Sequence, residues 1–258
     1  MKKALFYTLM FLTIQLLVTY ITLGVLTLIN SPSLPPKSNA VMVGVTIASS
    51  LVTIILFYWL KWTSASPRFI QSRPWAQLSW TMLAAIGTLL PAAWLQEHLP
   101  ALPDLAEETM KGIIATPGGY FALGILVPIA EEAVFRGAVL RTLLNEFDKR
   151  HWVAIAISAL LFALVHMNPA QMPHAFLIGL LLGWLYYRTG SIVPGVLFHI
   201  VNNTAAVIIE KLYPNNDEVS LIDLFGGNER TAMLSVVFSL FILLPSLYQL
   251  NWRMKKEA

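Results

Sequence analysis

Residues 118–147 read GGYFALGILVPIAEEAVFRGAVLRTLLNEF. A helix that crosses a bilayer needs about 20 mostly apolar residues, because each residue rises ~1.5 Å through a hydrocarbon core ~30 Å thick. This run is long enough, yet Glu131, Glu132 and Arg136 interrupt its middle and Arg141 its second half. A charge at the centre of a span costs about 2.5–3.5 kcal/mol on insertion scales, so a chain keeps one there for pairing or for chemistry.

Working outward, seven further apolar runs appear. Ala4–Ile29, Ala40–Leu60 and Leu78–Leu95 precede the quoted stretch; Trp152–Met167, His174–Tyr187, Ile192–Leu212 and Thr231–Trp252 follow it. Barrel strands would instead show alternating segments of about 10 residues. The expected fold is therefore all-α: a polytopic membrane bundle of about eight transmembrane helices, forming one domain over 1–258. Composition agrees. Of 258 residues, 57% are hydrophobic and 12% charged, with 17 basic and 14 acidic side chains. That is half the charge of an ordinary soluble domain, which excludes a disordered chain, a nucleic-acid binder and a cytosolic enzyme. Cysteine is absent, so no disulfide, thiolate metal site or cysteine nucleophile is available. Lys2 and Lys3 before the first run give it the look of a signal peptide, but it exceeds a cleavable apolar core of 7–15 residues and reads as a retained anchor.

The basic residues orient the spans. Alternation puts twelve of the seventeen on one side: Lys2, Lys3, Lys61, Arg68, Arg73, Arg141, Lys149, Arg150, Arg188, Arg253, Lys255 and Lys256. Four (Lys37, Lys111, Lys211 and Arg230) fall on the other, beside acids such as Asp104, Asp217 and Glu218. The positive-inside bias makes both termini cytoplasmic. Residues 98–116 mix Leu, Ile and Met with acids, and read as an interfacial amphipathic helix more readily than as a plain loop.

Three polar motifs sit inside the spans. Glu132 and Arg136 are four residues apart, on one helix face in the favourable acid-before-base order, and read as a structural pair. Glu131 lies about 140° around the axis from Arg136 and has no partner on its own helix. An unpaired carboxylate in an apolar setting takes up a proton more readily than one in water, the property a general base working near neutral pH needs. His166 closes Phe162-Ala163-Leu164-Val165-His166. His199 and Asn203, again four apart, present two hydrogen-bonding side chains that can hold an oxyanion, or can merely bond helix to helix. Asn202 lies off that face and reads as a packing residue; His151 and His174 also read as structural. Counted from Phe147, Trp152 and Ile192, the span ends on the basic side, Glu131 lies about 24 Å deep, His166 about 21 Å and His199 about 10 Å. Convergence of the three therefore needs staggered spans, or spans ended or kinked at Pro128, Pro169 and Pro194.

Glu-Glu-x-x-x-Arg at 131–136, Phe-x-x-x-His at 162–166 and His-x-x-x-Asn at 199–203 resemble, in order and approximate separation, the signature motifs of the CPBP intramembrane proteases. That family includes CAAX prenyl endopeptidases and bacteriocin-processing or immunity proteins. The resemblance covers about 115–212, which it marks as the catalytic core. It implies hydrolysis of a peptide bond by a glutamate-activated water. Glu131 resembles the general base, His166 the residue that positions the water or assists proton transfer, and His199 with Asn203 the oxyanion pair; Glu132 and Arg136 match supporting positions. No cofactor is expected. Zinc held by Glu131, His166 and His199 is the less favoured alternative, since there is no His-Glu-x-x-His helix. The expected partners are a peptide or membrane-protein substrate and the lipid bilayer of a bacterial inner membrane, with no nucleic acid; the sequence leaves oligomeric state open. A proton-coupled transporter using the same buried residues, or a non-catalytic immunity-type protein, are the competing readings.

Overall fold

In the computed structural model, which describes residues 1–29, 38–64, 66–213 and 220–254, every apolar run forms helix. Lys37, Asp217, Glu218, Lys255 and Lys256, used above for orientation, lie outside the described residues, as does the Arg68 side chain. The elements are α1 (Lys2–Ile29), α2 (Asn39–Trp59), α3 (Pro67–Gln71), α4 (Trp75–Glu97) and α5 (Glu107–Ala115). A composite segment follows: a π-helical turn Phe121–Leu126, α6 (Val127–Val134), a second π-turn Phe135–Leu140, and α7 (Arg141–Glu146). The chain continues through α8 (His151–Leu164), α9 (Met172–Thr189), α10 (Val193–Leu212), α11 (Leu221–Leu224) and α12 (Glu229–Arg253). No strand occurs among the described residues.

Five helices (α1, α2, α4, α10 and α12) are long and apolar enough to cross a membrane. The remaining three runs are shorter or interrupted, and they build the interior. Val134, Phe135, Ala138, Val139 and Leu140 of the composite segment pack with Ala154, Ile155 and Phe162 of α8 and with Phe57 of α2 in the largest buried cluster. By contrast Leu16, Leu17, Tyr20, Ile21 and Leu28 of α1, and Phe238, Phe241, Leu244 and Tyr248 of α12, are exposed. Large apolar side chains facing outward in such numbers suit hydrocarbon, not water.

Small residues set the helix approaches. A Cβ on Gly87 of α4 would stand 2.7 Å from the Leu243 nitrogen of α12, and Ser239 Oγ donates to the Gly87 carbonyl at 3.3 Å. Gly179 and Gly183 of α9 lie against Ala159 and Ile155 of α8. Since lipid tails are as apolar as leucine, close backbone packing and interhelical hydrogen bonds hold such helices together.

The ends of the bundle sort as the charge pattern requires. The Met1 amine pairs with Glu146, and Arg141 donates to the Trp62 carbonyl at 2.6 Å. The His151 and Tyr187 rings stack at 4.2 Å, and Arg188 donates to the Asn251 carbonyl. The start of α1, the loops at 61–62 and 147–150, the 188–190 turn and the end of α12 therefore share one end, the basic one. At the other end, Gln96 donates to the Ala170 carbonyl at 2.8 Å and Glu97 accepts from Leu221 N–H.

Two expected boundaries shift. Helix α8 stops at Leu164 rather than Met167, because Met167 takes a left-handed conformation (φ 51°) and the residue before Pro169 is pushed out of the helical region. The amphipathic helix expected across 98–116 forms only over Glu107–Ala115, since Pro100 and Pro103 remove backbone donors ahead of it.

Candidate active site

The composite segment sets the positions of its own charges. In the first π-turn Val127 N–H bonds back five residues, to the Ala122 carbonyl. Residue 128 is proline and offers no N–H, which leaves the Leu123 carbonyl without a helical donor. Asn203 Nδ2 of α10 donates to that carbonyl at 2.9 Å. Across the second π-turn the carbonyls of Ala133 and Phe135 accept from Thr63 Oγ1 and Ser158 Oγ. The irregular backbone is thus satisfied by side chains from three neighbours, the condition under which non-helical backbone persists at membrane depth.

Glu132 and Arg136 form the expected pair. Arg136 NH1 donates to Glu132 Oε1 at 2.6 Å, and the two side chains are 0% and 1% exposed. Arg136 also lies 4.4 Å from the centre of the Phe162 ring and reaches the Gly179 carbonyl at 3.4 Å. A buried ion pair repays its desolvation only with such added contacts. Glu132 Oε2 finds no hydrogen-bond partner among the described residues; it packs against Gly195 of α10, where a Cβ would stand 2.6 Å away.

That close approach brings His199, one turn beyond Gly195, between both carboxylates. Its Nδ1 lies 3.3 Å from Glu132 Oε1 and its Nε2 3.6 Å from Glu131 Oε2. Glu132 Oε1 already accepts from Arg136, so it is an acceptor and Nδ1 must carry its hydrogen. Nε2 then faces Glu131. Glu131 does point away from Arg136 as its spacing implied, and its partner comes from another helix.

His166 is held by the end of α8. Its backbone N–H bonds to the Ala163 carbonyl at 3.2 Å, which leaves the Phe162 carbonyl to accept from the His166 ring at 2.8 Å through Nδ1. Nε2 is the nitrogen left for the interior. Phe162 packs edge-on to both His166 and His199, with centroids 4.9 and 5.8 Å away.

Glu131, His166, His199 and Asn203 line one cavity of about 410 Å³. The four meet despite the depth mismatch expected from counting; the 191–192 turn ahead of α10 is buried (Ser191 and Ile192 are 0% and 5% exposed), and Pro194 opens the first turn of α10. The cavity includes three polar residues that the sequence reading set aside or passed over. His174, read as structural, faces it from the first turn of α9, with Gln171 just before; Asn202 lines it while donating to the Phe198 carbonyl at 3.3 Å. Nothing in the sequence places His174 there, because only the 165–171 loop brings the start of α9 back beside His166. Apolar walls come from Leu123, Val127, Ile178 and Val207.

Helix α5 forms the cover. Its Met110 and Ile114 line the cavity, so its apolar face meets the site rather than lipid alone. The preceding segment is strapped down by Asn168, 1% exposed. Asn168 Nδ2 donates to Asp104 Oδ1 at 2.8 Å and its Oδ1 accepts from Leu105 N–H at 3.0 Å. Asn168 lies two residues beyond His166, so cover and site share one loop. No group of three His, Asp or Glu side chains among the described residues is arranged to hold a metal ion.

Residues 114–205, which carry all of these motifs, match the Rce1-like family, the type II CAAX prenyl endopeptidases. These residues are thus similar to the CPBP intramembrane proteases. The matched segment extends from the end of α5 into α10 and leaves α1 to α4, α11 and α12 outside it. An uncharacterized 24.3 kDa protein of Escherichia coli is 26% identical over 177 residues, covering 63% of this chain and 77% of that protein. The membrane-embedded CAAX protease MroQ of Staphylococcus aureus is 27% identical over 148 residues, 55% of this chain and 59% of MroQ. No solved structure matches the chain. The matched segment and the apolar helices together describe a multi-pass integral membrane protein similar to the CAAX endopeptidases.

Proposed function

We propose that the chain is an intramembrane endopeptidase of a bacterial plasma membrane that hydrolyses a peptide bond of a membrane-associated peptide or protein with a glutamate-activated water. One observation carries the reading: Glu131, His166, His199 and Asn203, from two helices and a loop, line a single cavity. Glu131 takes a proton from the attacking water, and His166 Nε2 accepts a hydrogen bond that orients that water. As the carbonyl oxygen gains charge, His199 Nε2–H and the second Asn203 Nδ2 hydrogen donate to it. Glu132 acts through His199: by accepting from Nδ1 it keeps Nε2 aimed at the reacting centre. The proton held by Glu131 passes to the leaving nitrogen as the C–N bond breaks. The route needs no metal; His199 Nδ1 and one Asn203 amide hydrogen are already committed to Glu132 and to the Leu123 carbonyl.

Glu131→Gln tests the assignment. It keeps size and hydrogen bonding but removes the base, so cleavage of membrane-peptide substrates, followed by mass spectrometry, is expected to fall by about 10²–10⁴-fold with unchanged melting in detergent. Turnover equal to the parent's would sink the mechanism. Activity lost to a chelator and restored by zinc would replace it with a metal-dependent one.

A further inference from the structure

A second concavity, of about 490 Å³, lies on the outer surface between α9 and α12, away from the polar cavity. Leu177, Leu181 and Trp184 of α9 form one wall, Leu247 and Tyr248 of α12 the other, and Trp152 at the start of α8 borders it. Leu177, Leu181, Trp184 and Arg188 recur at steps of four, three and four, so they share one face of α9. Arg188 stands one turn beyond Trp184, at the basic end of the bundle. Its guanidinium donates to the Asn251 carbonyl at the same end of the groove, and its buried Nε has no hydrogen-bond partner among the described residues. Lys149 and Arg150 are exposed just before Trp152, and Arg253 is exposed beside Trp252. Among the described residues Asp148 has no ion pair, and Glu146 is taken by the Met1 amine.

From Leu177 to Arg188 the stripe rises about 16 Å at ~1.5 Å per residue, close to the ~15 Å depth of a single leaflet. An apolar trough one leaflet deep, topped by cations at one end only, matches a molecule with a long hydrocarbon tail and one anionic head. We propose that this groove binds an anionic phospholipid. One acyl chain lies along Leu177, Leu181 and Trp184, and the phosphate meets Arg188 with Lys149 and Arg150 beside it. A zwitterionic lipid fills the same trough but gains nothing from the cations, each of which is worth about five-fold in affinity near an anionic headgroup.

Native mass spectrometry of the full chain in detergent, titrated with dioleoyl phosphatidylglycerol or dioleoyl phosphatidylcholine, tests this. Phosphatidylglycerol is expected to bind at least five-fold more tightly, and its brominated form to quench part of the tryptophan emission through Trp152 and Trp184. Arg188→Gln should bring the two lipids to within about two-fold of each other, while Arg188→Lys keeps most of the preference. If Arg188→Gln lowers the melting temperature in detergent, Leu181→Trp, which fills the trough from within, supplies the reading instead through lost quenching. Equal binding of the two lipids, or a preference untouched by Arg188→Gln and Leu181→Trp, overturns the proposal. So does a dimer in which lipid neither binds nor quenches, because a second copy would then cover the groove. None of these outcomes depends on peptidase activity.

Discussion

Gly195→Ala is the sharpest single perturbation of the site, because it alters no chemical group in it. The added Cβ would stand 2.6 Å from Glu132 Oε2 and 3.4 Å from its Cδ. Ordinary contact begins near 3.4 Å, so α10 and Glu132 must part by about 0.8 Å. Glu132 has little room to yield: it is fully buried and tied to Arg136 at 2.6 Å. The strain therefore falls on the His199 contacts, now 3.3 Å to Glu132 and 3.6 Å to Glu131, and the first of these passes out of hydrogen-bonding range. Overpacking of this kind costs about 1–3 kcal/mol, and a displacement near 1 Å at a reacting centre costs on the order of 10²-fold in rate. The assay is paired: unfolding in mixed micelles for stability, and cleavage of a membrane-peptide substrate for rate. Gly44→Ala, where a Cβ meets nothing within 4 Å, is the control and should stay within about 0.5 kcal/mol of the parent. Equal stability and turnover for Gly195→Ala and Gly44→Ala would refute the claim that this glycine sets the distance between α10 and the carboxylates.

Other outcomes follow from the same geometry. Glu132→Gln leaves Arg136 buried without its counter-ion and should destabilise the bundle by about 3–5 kcal/mol, measurable as a lowered unfolding midpoint; a near-neutral result would mean that the Phe162 and Gly179 contacts suffice for the guanidinium. Asn168→Ala removes both hydrogen bonds to the 104–105 segment and leaves Leu105 N–H and Asp104 without that partner, for about 1–3 kcal/mol. It should also speed reaction of an Ala206→Cys probe in the cavity with a thiol reagent, as the α5 cover loosens, and an unchanged rate would show that Asn168 does not hold the cover. Because the chain has no native cysteine, single cysteines report sidedness cleanly. Lys149→Cys and Arg253→Cys are expected to react from the cytoplasmic side in inverted vesicles, and Asp104→Cys from the opposite side; any other partition would break the topology drawn from the charges.

Much of this molecule is legible from residue order. Long apolar runs force helices because unpaired backbone groups cannot be left in hydrocarbon. Basic residues collect at one end, and the contacts of Met1, Arg141, His151 and Arg188 gather their segments there. The Glu132–Arg136 pair needed only helical spacing. Placement in depth and pairing between segments were not legible. Periodicity shows neither that the turn before α10 is buried, nor that Pro128 frees a carbonyl for Asn203, nor that the loop after His166 folds His174 into the cavity and ties down α5. Each of those facts depends on which backbone another helix meets. Local sequence sets a side chain's direction about its own axis, whereas the distance between two axes is decided by what packs between them, and here by a glycine that leaves Glu132 room beside His199.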